Sequence, residues 1–249
     1  MESHGSRRHH AALASARSLA VGVVALLALA AGALPARAEE ARPLKIGIVG
    51  AGRIGGTLAT LWAKAGHEVL VSSRHPDQLQ DLVKSIGPKA RAGTPKEAAA
   101  FGDVVLVSVP YGALPQIGRD LAKELSGKVV LDTGNPYPER DGEMAVEARK
   151  KGTGVASAEL LPGVKLVRAF NAINWKSLKS ESRRAGKPIA IPIAADDAEA
   201  LRVASRLVKD AGFEPVVVGP LAKARMFDVG TPVYTQLLTA DELKARLGL

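Results

Sequence analysis

A strand that runs straight into three spaced glycines constrains this chain more than any other stretch. Lys45-Ile-Gly-Ile-Val49 is followed at once by Gly50-Ala-Gly52-Arg-Ile-Gly55, the spacing G-x-G-x-x-G. Each glycine has a separate task. Gly50 lets the chain turn tightly off the strand, Gly52 lets backbone approach a pyrophosphate without a Cβ in the way, and Gly55 lets the next helix pack close to the sheet. A helix over 52–65 then aims its free N–H groups and positive dipole end at the phosphates. Among 25 glycines the spacing alone is weak. Its place between a strand and a helix, a βαβ distance before a second strand, is the context the motif requires. The alternative is a glycine-rich turn without a ligand.

The end of the second strand selects the cofactor. An acid about 20 residues beyond the glycines would bind a ribose 2′-OH and repel a 2′-phosphate. Here Glu68-Val-Leu-Val-Ser72 runs into Ser73, Arg74 and His75. Hydroxyl donors and a guanidinium suit a phosphate dianion, because charge-assisted and bidentate hydrogen bonds are the strong ones. The residues therefore read as NADP(H) rather than NAD(H), with a solvated loop arginine as the alternative for Arg74.

The N-terminus reads as an export signal over residues 1–38. Arg7 and Arg8 are its basic start, residues 19–34 are rich in Ala, Leu and Val, and Ala36-Arg-Ala38 is an A-x-A cleavage site. The apolar run is short for a membrane span, which needs about 20 residues; an uncleaved anchor is the alternative. Ser6-Arg7-Arg8 resembles the twin-arginine signal that exports folded proteins, although His10 and Ala11 stand where Phe and Leu are preferred. The expected location is periplasmic.

Removing residues 1–38, which hold four arginines and one glutamate, lowers the net charge from +9 to +6 over 211 residues. That length buries a full core. The surplus charge follows no stripe interleaved with aromatics, which argues against nucleic acid, while a modest positive excess attracts a multiply charged cofactor. With no cysteine, disulfides, thiol nucleophiles and Cys-ligated metals are excluded. Beyond the signal only His67 and His75 remain, too few for a His-rich metal site. His67, in the turn before the second strand, reads as structural. No metal site and no proton-transferring catalytic residue are expected.

Apolar strands alternate with helical stretches, so the expected fold is α/β: a Rossmann-type, doubly wound parallel sheet. Strands are expected at 45–49, 68–72, 89–92, 103–109, 128–132 and 165–170, and helices at 52–65, 77–86, 94–100, 114–125 and 141–150. Thr94-Pro-Lys-Glu97 reads as an N-cap followed by Pro and a capping Glu. Strand 188–194, helix 196–211 and strand 214–218 form a small C-terminal βαβ extension, before a short helical segment in 234–249. The division is into an NADP-binding domain, 44–160, and an acceptor-side domain, 161–249.

In such a sheet the C-terminal strand ends line the cleft. They gather 50–55, 72–74, 108–111, 132–136 and 169–171 at one edge, placing Val109 and Tyr111 beside the nicotinamide half. Asn135 and Asn171 offer the donors and acceptors a carboxamide needs; alternatively they only tie loops together.

Gly-Ala-Gly-Arg-Ile-Gly, Ala-Gly-His-Glu-Val-Leu-Val-Ser-Ser-Arg, Val-Ser-Val-Pro-Tyr, Val-Arg-Ala-Phe-Asn and Gly-Pro-Leu-Ala-Lys-Ala-Arg together resemble the deazaflavin-dependent NADP reductases, the coenzyme F-420:NADP oxidoreductase family. The N-terminal domain of that family is related to that of pyrroline-5-carboxylate reductase. The resemblance covers nearly all of 44–235. It implies that Gly50, Ala51, Gly52, Arg53, Ile54 and Gly55 form the cofactor-binding loop, with the pyrophosphate on Ala51 to Ile54, and that Ser73 and Arg74 hold the 2′-phosphate. Val109, Pro110 and Ala113 would form the loop after the fourth strand, with the nicotinamide amide near Ala169. Gln78 replaces a basic residue that some members use on the 2′-phosphate. The family passes hydride directly between two bound rings, so catalysis is expected from proximity.

The expected activity is that of an exported NADP(H)-dependent oxidoreductase acting on a flavin- or deazaflavin-like acceptor, with a small-molecule acceptor as partner and a homodimer left open. No nucleic acid is expected, and no membrane after cleavage. One alternative is a non-catalytic NADP-binding protein. Another is a reductase of a small imine such as pyrroline-5-carboxylate, with Lys176 as proton donor; the absence of an appended helical domain argues against it.

Overall fold

The computed structural model describes residues 42–249, and Pro43–Leu249 form one unit. The expected signal, 1–38, lies outside the described residues. Eight strands form one sheet: β1 Lys45–Val49, β2 Glu68–Ser72, β3 Ala90–Gly93, β4 Val104–Val107, β5 Val129–Asp132, β6 Lys165–Arg168, β7 Ala190–Ala195 and β8 Glu214–Gly219. Their order is β3-β2-β1-β4-β5-β6-β7-β8. The first six are parallel, β7 runs antiparallel to β6, and β8 is parallel to β7. The doubly wound expectation holds, and the order 3-2-1-4-5-6 is the dinucleotide-binding one with its switch point between β1 and β4.

Helices cover both faces: α1 Arg53–Lys64, α2 Gln80–Ile86, α3 Pro95–Phe101, α4 Leu114–Asp120, α5 Ala122–Leu125, α6 Pro138–Asp141, α7 Glu143–Lys151, α8 Thr153–Leu160, α9 Trp175–Ser180, α10 Ala198–Asp210 and α11 Ala240–Leu247. Cover on both faces is why β4, Val-Val-Leu-Val, is buried at every position. The capping box at Thr94 and Glu97 forms as read, with Pro95 opening α3. The helix expected over 114–125 breaks at Leu121, and the one over 141–150 breaks at Gly142, whose φ is 63°. Neither α8 nor α9 was expected. Thr153, Gly154, Ala156 and Ser157 of α8 are all buried, so no polar face betrays its period.

Two contacts lock the sheet's cover. Trp62 of α1 is fully buried, and its Nε1 donates to the Leu207 carbonyl of α10 at 2.8 Å. Its ring meets Phe170 edge-on at 6.1 Å, and Phe170 meets Phe213 in the same way at 6.5 Å. His67 is structural: its Nδ1 accepts from Leu44 N at 3.0 Å and its Nε2 donates to Asp210 at 2.9 Å. It ties the entry of β1 to the end of α10.

Candidate functional site

The glycine loop divides into two filled positions and one open one. Gly50 adopts φ 100°, where an L side chain is strained, and a Cβ there would run into the Ser108 carbonyl of β4's exit. A Cβ on Gly55 would strike the Gly50 carbonyl. A Cβ on Gly52 would meet nothing within 4 Å. Gly52 is also the N-cap of α1, with no side-chain cap and no acid in the first turn. The first-turn N–H groups therefore remain available to an anion. Ala51 differs: its N–H already donates to Ser72 O at 3.0 Å. Ile54 is half-buried, and Arg53 is exposed with its guanidinium 4.9 Å over the Trp175 ring. A cleft of about 490 Å³ opens beside the loop, bordered by Ala51, Gly52, Arg53, Trp175 and Lys179. The sequence reading gave Trp175 no role, because nothing local connects α9 with the glycine loop.

The end of β2 needs one correction. Ser72 is fully buried, and its hydroxyl donates to Ile48 O at 2.8 Å, so it is spent within the sheet rather than facing a phosphate. Ser73 is half-buried; its Oγ accepts from His75 N at 2.8 Å, which leaves its proton to donate. Arg74 is exposed and has no ion pair among the described residues. Gln78 and His75 are exposed beside it. Ser73 and Arg74 thus present one hydroxyl donor and one uncommitted guanidinium. Arg74→Ala is expected to weaken NADPH binding by about 1.5–3 kcal/mol, the range for hydrogen bonds to charged groups, with little change for NADH. Titration of both dinucleotides checks it; equal losses would assign Arg74 to general attraction.

On the other half of the cleft, Val109 and Ala113 are half-buried and Pro110 is exposed, and Ala113 N donates to Pro110 O at 2.9 Å to close the turn. Tyr111 does not face the nicotinamide half. Its ring is fully buried among Val107, Leu114 and Leu125, with its hydroxyl 3.5 Å from Ser157. Burial pushes its phenol up to about 12. A core tyrosine is the cheaper arrangement because Pro110 turns the chain back onto the sheet. Ala169 is fully buried, and its N–H donates to the Asp132 carbonyl at 3.4 Å. The next residue, Phe170, has φ 59°, an uncommon conformation for a bulky residue. Anchored by Trp62 and Phe213, it turns the chain off β6.

Both asparagines tie loops. Asn135 Nδ2 donates to Asn171 O at 2.9 Å and to the Tyr234 hydroxyl at 3.3 Å, while Asn171 Nδ2 donates to Phe227 O at 3.2 Å. Their Oδ1 atoms are buried without protein partners. Two acceptors are therefore left at the strand ends, where a carboxamide N–H₂ could donate.

Beneath these loops lies an ion network that the sequence reading missed. Arg168 and Asp132 are fully buried, and Arg168 Nη1 donates to Asp132 Oδ2 and to Gly134 O, each at 2.7 Å. Arg168 Nη2 stands 3.5 Å from Asp228 Oδ1. Asp132 Oδ1 accepts from Gly134 N at 2.7 Å, and Asp228 Oδ2 accepts from Thr153 N at 3.0 Å. One guanidinium thus fixes the exits of β5 and β6 and the start of α8. The available signal was a charged residue inside an apolar strand, which is rarely buried unless paired.

A second clamp shapes the loop after β5. Asp141 accepts from Tyr137 N at 3.0 Å, from Gly112 N at 3.1 Å, and from Arg140 at 2.7 and 2.9 Å. The Arg140 hydrogen bond holds its carboxyl below the usual carboxylate range, against the upward push of burial. Its contribution to stability is therefore complete above the unfolded-state value of about 4 and is lost as pH falls through the lower folded value. Asp141→Asn should remove that part of the acid loss. Melting temperatures between about pH 5 and pH 2 check it, and parallel acid limbs for both proteins would refute it. The Tyr137 and Tyr234 hydroxyls meet at 2.6 Å above this clamp.

The chain is similar to known proteins in sequence and in fold. Residues 45–136 match the family NADP oxidoreductase coenzyme F420-dependent. The chain is 30% identical over 184 residues to Metalloreductase STEAP3 of Rattus norvegicus, covering 73% of this chain and 35% of that protein. It is 29% identical over 210 residues to the F420-dependent NADP reductase of Methanothermobacter thermautotrophicus, covering 78% of this chain and 89% of the relative. Thus it spans about a third of the metalloreductase but most of the reductase. Among solved structures, a hypothetical protein from Sinorhizobium meliloti, SMa0349, superposes with a TM-score of 0.67 at 26% identity, over 80% of this chain and 97% of the other.

Proposed function

We propose, from the match of residues 45–136 to the family NADP oxidoreductase coenzyme F420-dependent, that this chain passes hydride between NADP(H) and a flavin- or deazaflavin-like acceptor. The observation that carries the reading is the pairing of two features on the adjacent strands β1 and β2, beside the sheet's switch point. At β1 an uncapped helix start has open space at Gly52, and at the end of β2 Ser73 and Arg74 stand ready for a 2′-phosphate.

Bound there, the dinucleotide supplies hydride from C4 of its nicotinamide. The protein's part is positional. The first turn of α1 receives the pyrophosphate, and Ser73 and Arg74 select the extra phosphate. Val109, Pro110 and the strained exit at Phe170 bound the nicotinamide half, and the free oxygens of Asn135 and Asn171 orient its amide. Hydride transfer to the acceptor ring, with a proton from solvent, would then need from these residues only that the two rings be held near attack distance. We propose in addition that the signal-like sequence of residues 1–38 directs export of the folded protein, which would carry the dinucleotide along.

The test is anaerobic NADPH oxidation by the purified protein with riboflavin, FMN, a ferric chelate and a cyclic imine. Ferric iron is included because of the metalloreductase relative. Turnover with the flavins supports the reading. Tight NADPH binding without oxidation by any acceptor would favour the non-catalytic alternative, and imine turnover alone would favour the reductase of a small imine.

A further inference from the structure

We propose that the cavity between α7, the start of α8 and the segment 225–231 binds the phosphate of the acceptor's side chain, so that the preferred acceptors are phosphate-bearing flavins. This rests on the flavin-like acceptor proposed above and adds to it a substrate class and a second anchoring site.

The cavity, about 330 Å³, is lined by Arg149, Arg225, Asp228, Val229 and Thr231. That is the lower end of ligand-pocket sizes, enough for a phosphate and the carbons attached to it. Its two arginines are uncommitted. Neighbouring Lys150 pairs with Glu147 at 3.8 Å and Lys151 with Glu159 at 2.6 Å. Neither Arg149 nor Arg225 has an ion pair among the described residues, and Arg225 reaches only the Lys150 carbonyl, at 3.4 Å. Two exposed guanidiniums converging on one cavity match the oxygens of a phosphate monoester.

One buried atom of the lining supports this: Thr231 Oγ1 has no hydrogen-bond partner. Arg168, fully buried, stands behind Asp228. Asp228 is the one carboxylate lining the cavity, and it opposes an anion. Its Oδ2 is held by Thr153 N and its Oδ1 faces Arg168. Among the lining residues two guanidiniums stand against this one carboxylate, leaving the cavity positive.

The position also fits. Tyr234 N donates to Thr231 O at 3.1 Å, and the Tyr234 hydroxyl reaches Tyr137 and Asn135 at the end of β5. Tyr234 therefore links the cavity's Thr231 to the loop after β5, on the nicotinamide side of the cleft proposed above.

FMN and riboflavin carry the same ring and differ by the phosphate. In the purified protein FMN should bind about tenfold or more tightly than riboflavin, measured by flavin fluorescence, and show a correspondingly lower KM. The double variant Arg149→Ala, Arg225→Ala should lose that preference while riboflavin binding and turnover stay unchanged. Inorganic phosphate should compete with FMN and leave riboflavin in place. Equal binding of the two flavins by the unaltered protein would overturn the proposal. So would equal weakening of both in the double variant, or inorganic phosphate that binds as tightly as FMN. The two readings fail differently. An intact, arginine-dependent FMN preference without NADPH oxidation removes hydride transfer and keeps the pocket, whereas equal turnover of both flavins removes only the pocket.

Discussion

Arg168→Met should lower folding stability by about 3–5 kcal/mol, the range for removing one partner of a buried ion pair. The magnitude follows from what remains. Asp132 is fully buried, and it would keep its bond from Gly134 N but lose its counterion. Asp228 would lose the guanidinium facing it, and Gly134 O would lose a donor. A surface pair such as Lys187 with Asp241, at 3.0 Å but largely exposed on both sides, contributes about 0–1 kcal/mol by comparison. The pair matters less than its rupture. Replacing both members by apolar residues, Asp132→Leu with Arg168→Met, should recover part of the loss, since a buried pair is often no better than well-packed hydrophobic side chains. Urea unfolding of the three proteins decides it. A single-variant loss below about 1 kcal/mol would mean that water reaches the network. Because the same guanidinium holds the exits of β5 and β6, surviving Arg168→Met protein should also bind acceptor weakly.

Gly52→Ala is expected to separate folding from binding. The position has φ −69° and open space around its Cβ, so the apo protein should lose no more than about 1 kcal/mol, the cost of a poorer N-cap. Affinity for NADPH should fall far more, because a methyl group there holds the pyrophosphate off the first turn of α1. Losing one hydrogen bond to a charged group costs about 1.5–3 kcal/mol, about tenfold to a hundredfold or more in affinity. Gly50→Ala should do the reverse, destabilising the apo protein through its positive φ and the Ser108 carbonyl. Thermal melts with and without NADPH distinguish them. If Gly52→Ala keeps the full ligand-induced rise in melting temperature, the space at Gly52 is not where the pyrophosphate lies.

What could be read before the structure was what sits together in sequence. β1 and β2 have the expected bounds because each is an apolar run ending at a glycine or a serine–arginine turn. The capping box at Thr94 was legible because its partners lie three residues apart. The glycine loop and Ser73 with Arg74 each follow a single strand, so local chemistry sufficed. Ser72 shows the limit: adjacent to Ser73 and chemically identical, it faces the sheet, and only the alternation of the strand separates them. Arg168 meets Asp132 across 36 residues, and Tyr137 meets Tyr234 across 97, pairings that no local pattern encodes. Helix α8 is short, and its buried positions are Thr, Gly, Ala and Ser rather than large apolar residues, so it carries no stripe to read. Tyr111 was misplaced for a related reason, since an aromatic at a strand end serves a core as readily as a cleft.

The central claim is direct hydride transfer from NADPH to a flavin-like ring held in this cleft. NADPH deuterated at nicotinamide C4, each face in turn, tests it with 5-deazariboflavin as acceptor, because a hydrogen delivered to C5 of that ring stays on carbon and does not exchange with water. The account predicts that the label from one face appears in the reduced deazaflavin, and that Gly52→Ala slows its appearance in proportion to lost NADPH binding. Reduced deazaflavin carrying only solvent hydrogen at C5, or no reduction while NADPH remains tightly bound, would contradict it.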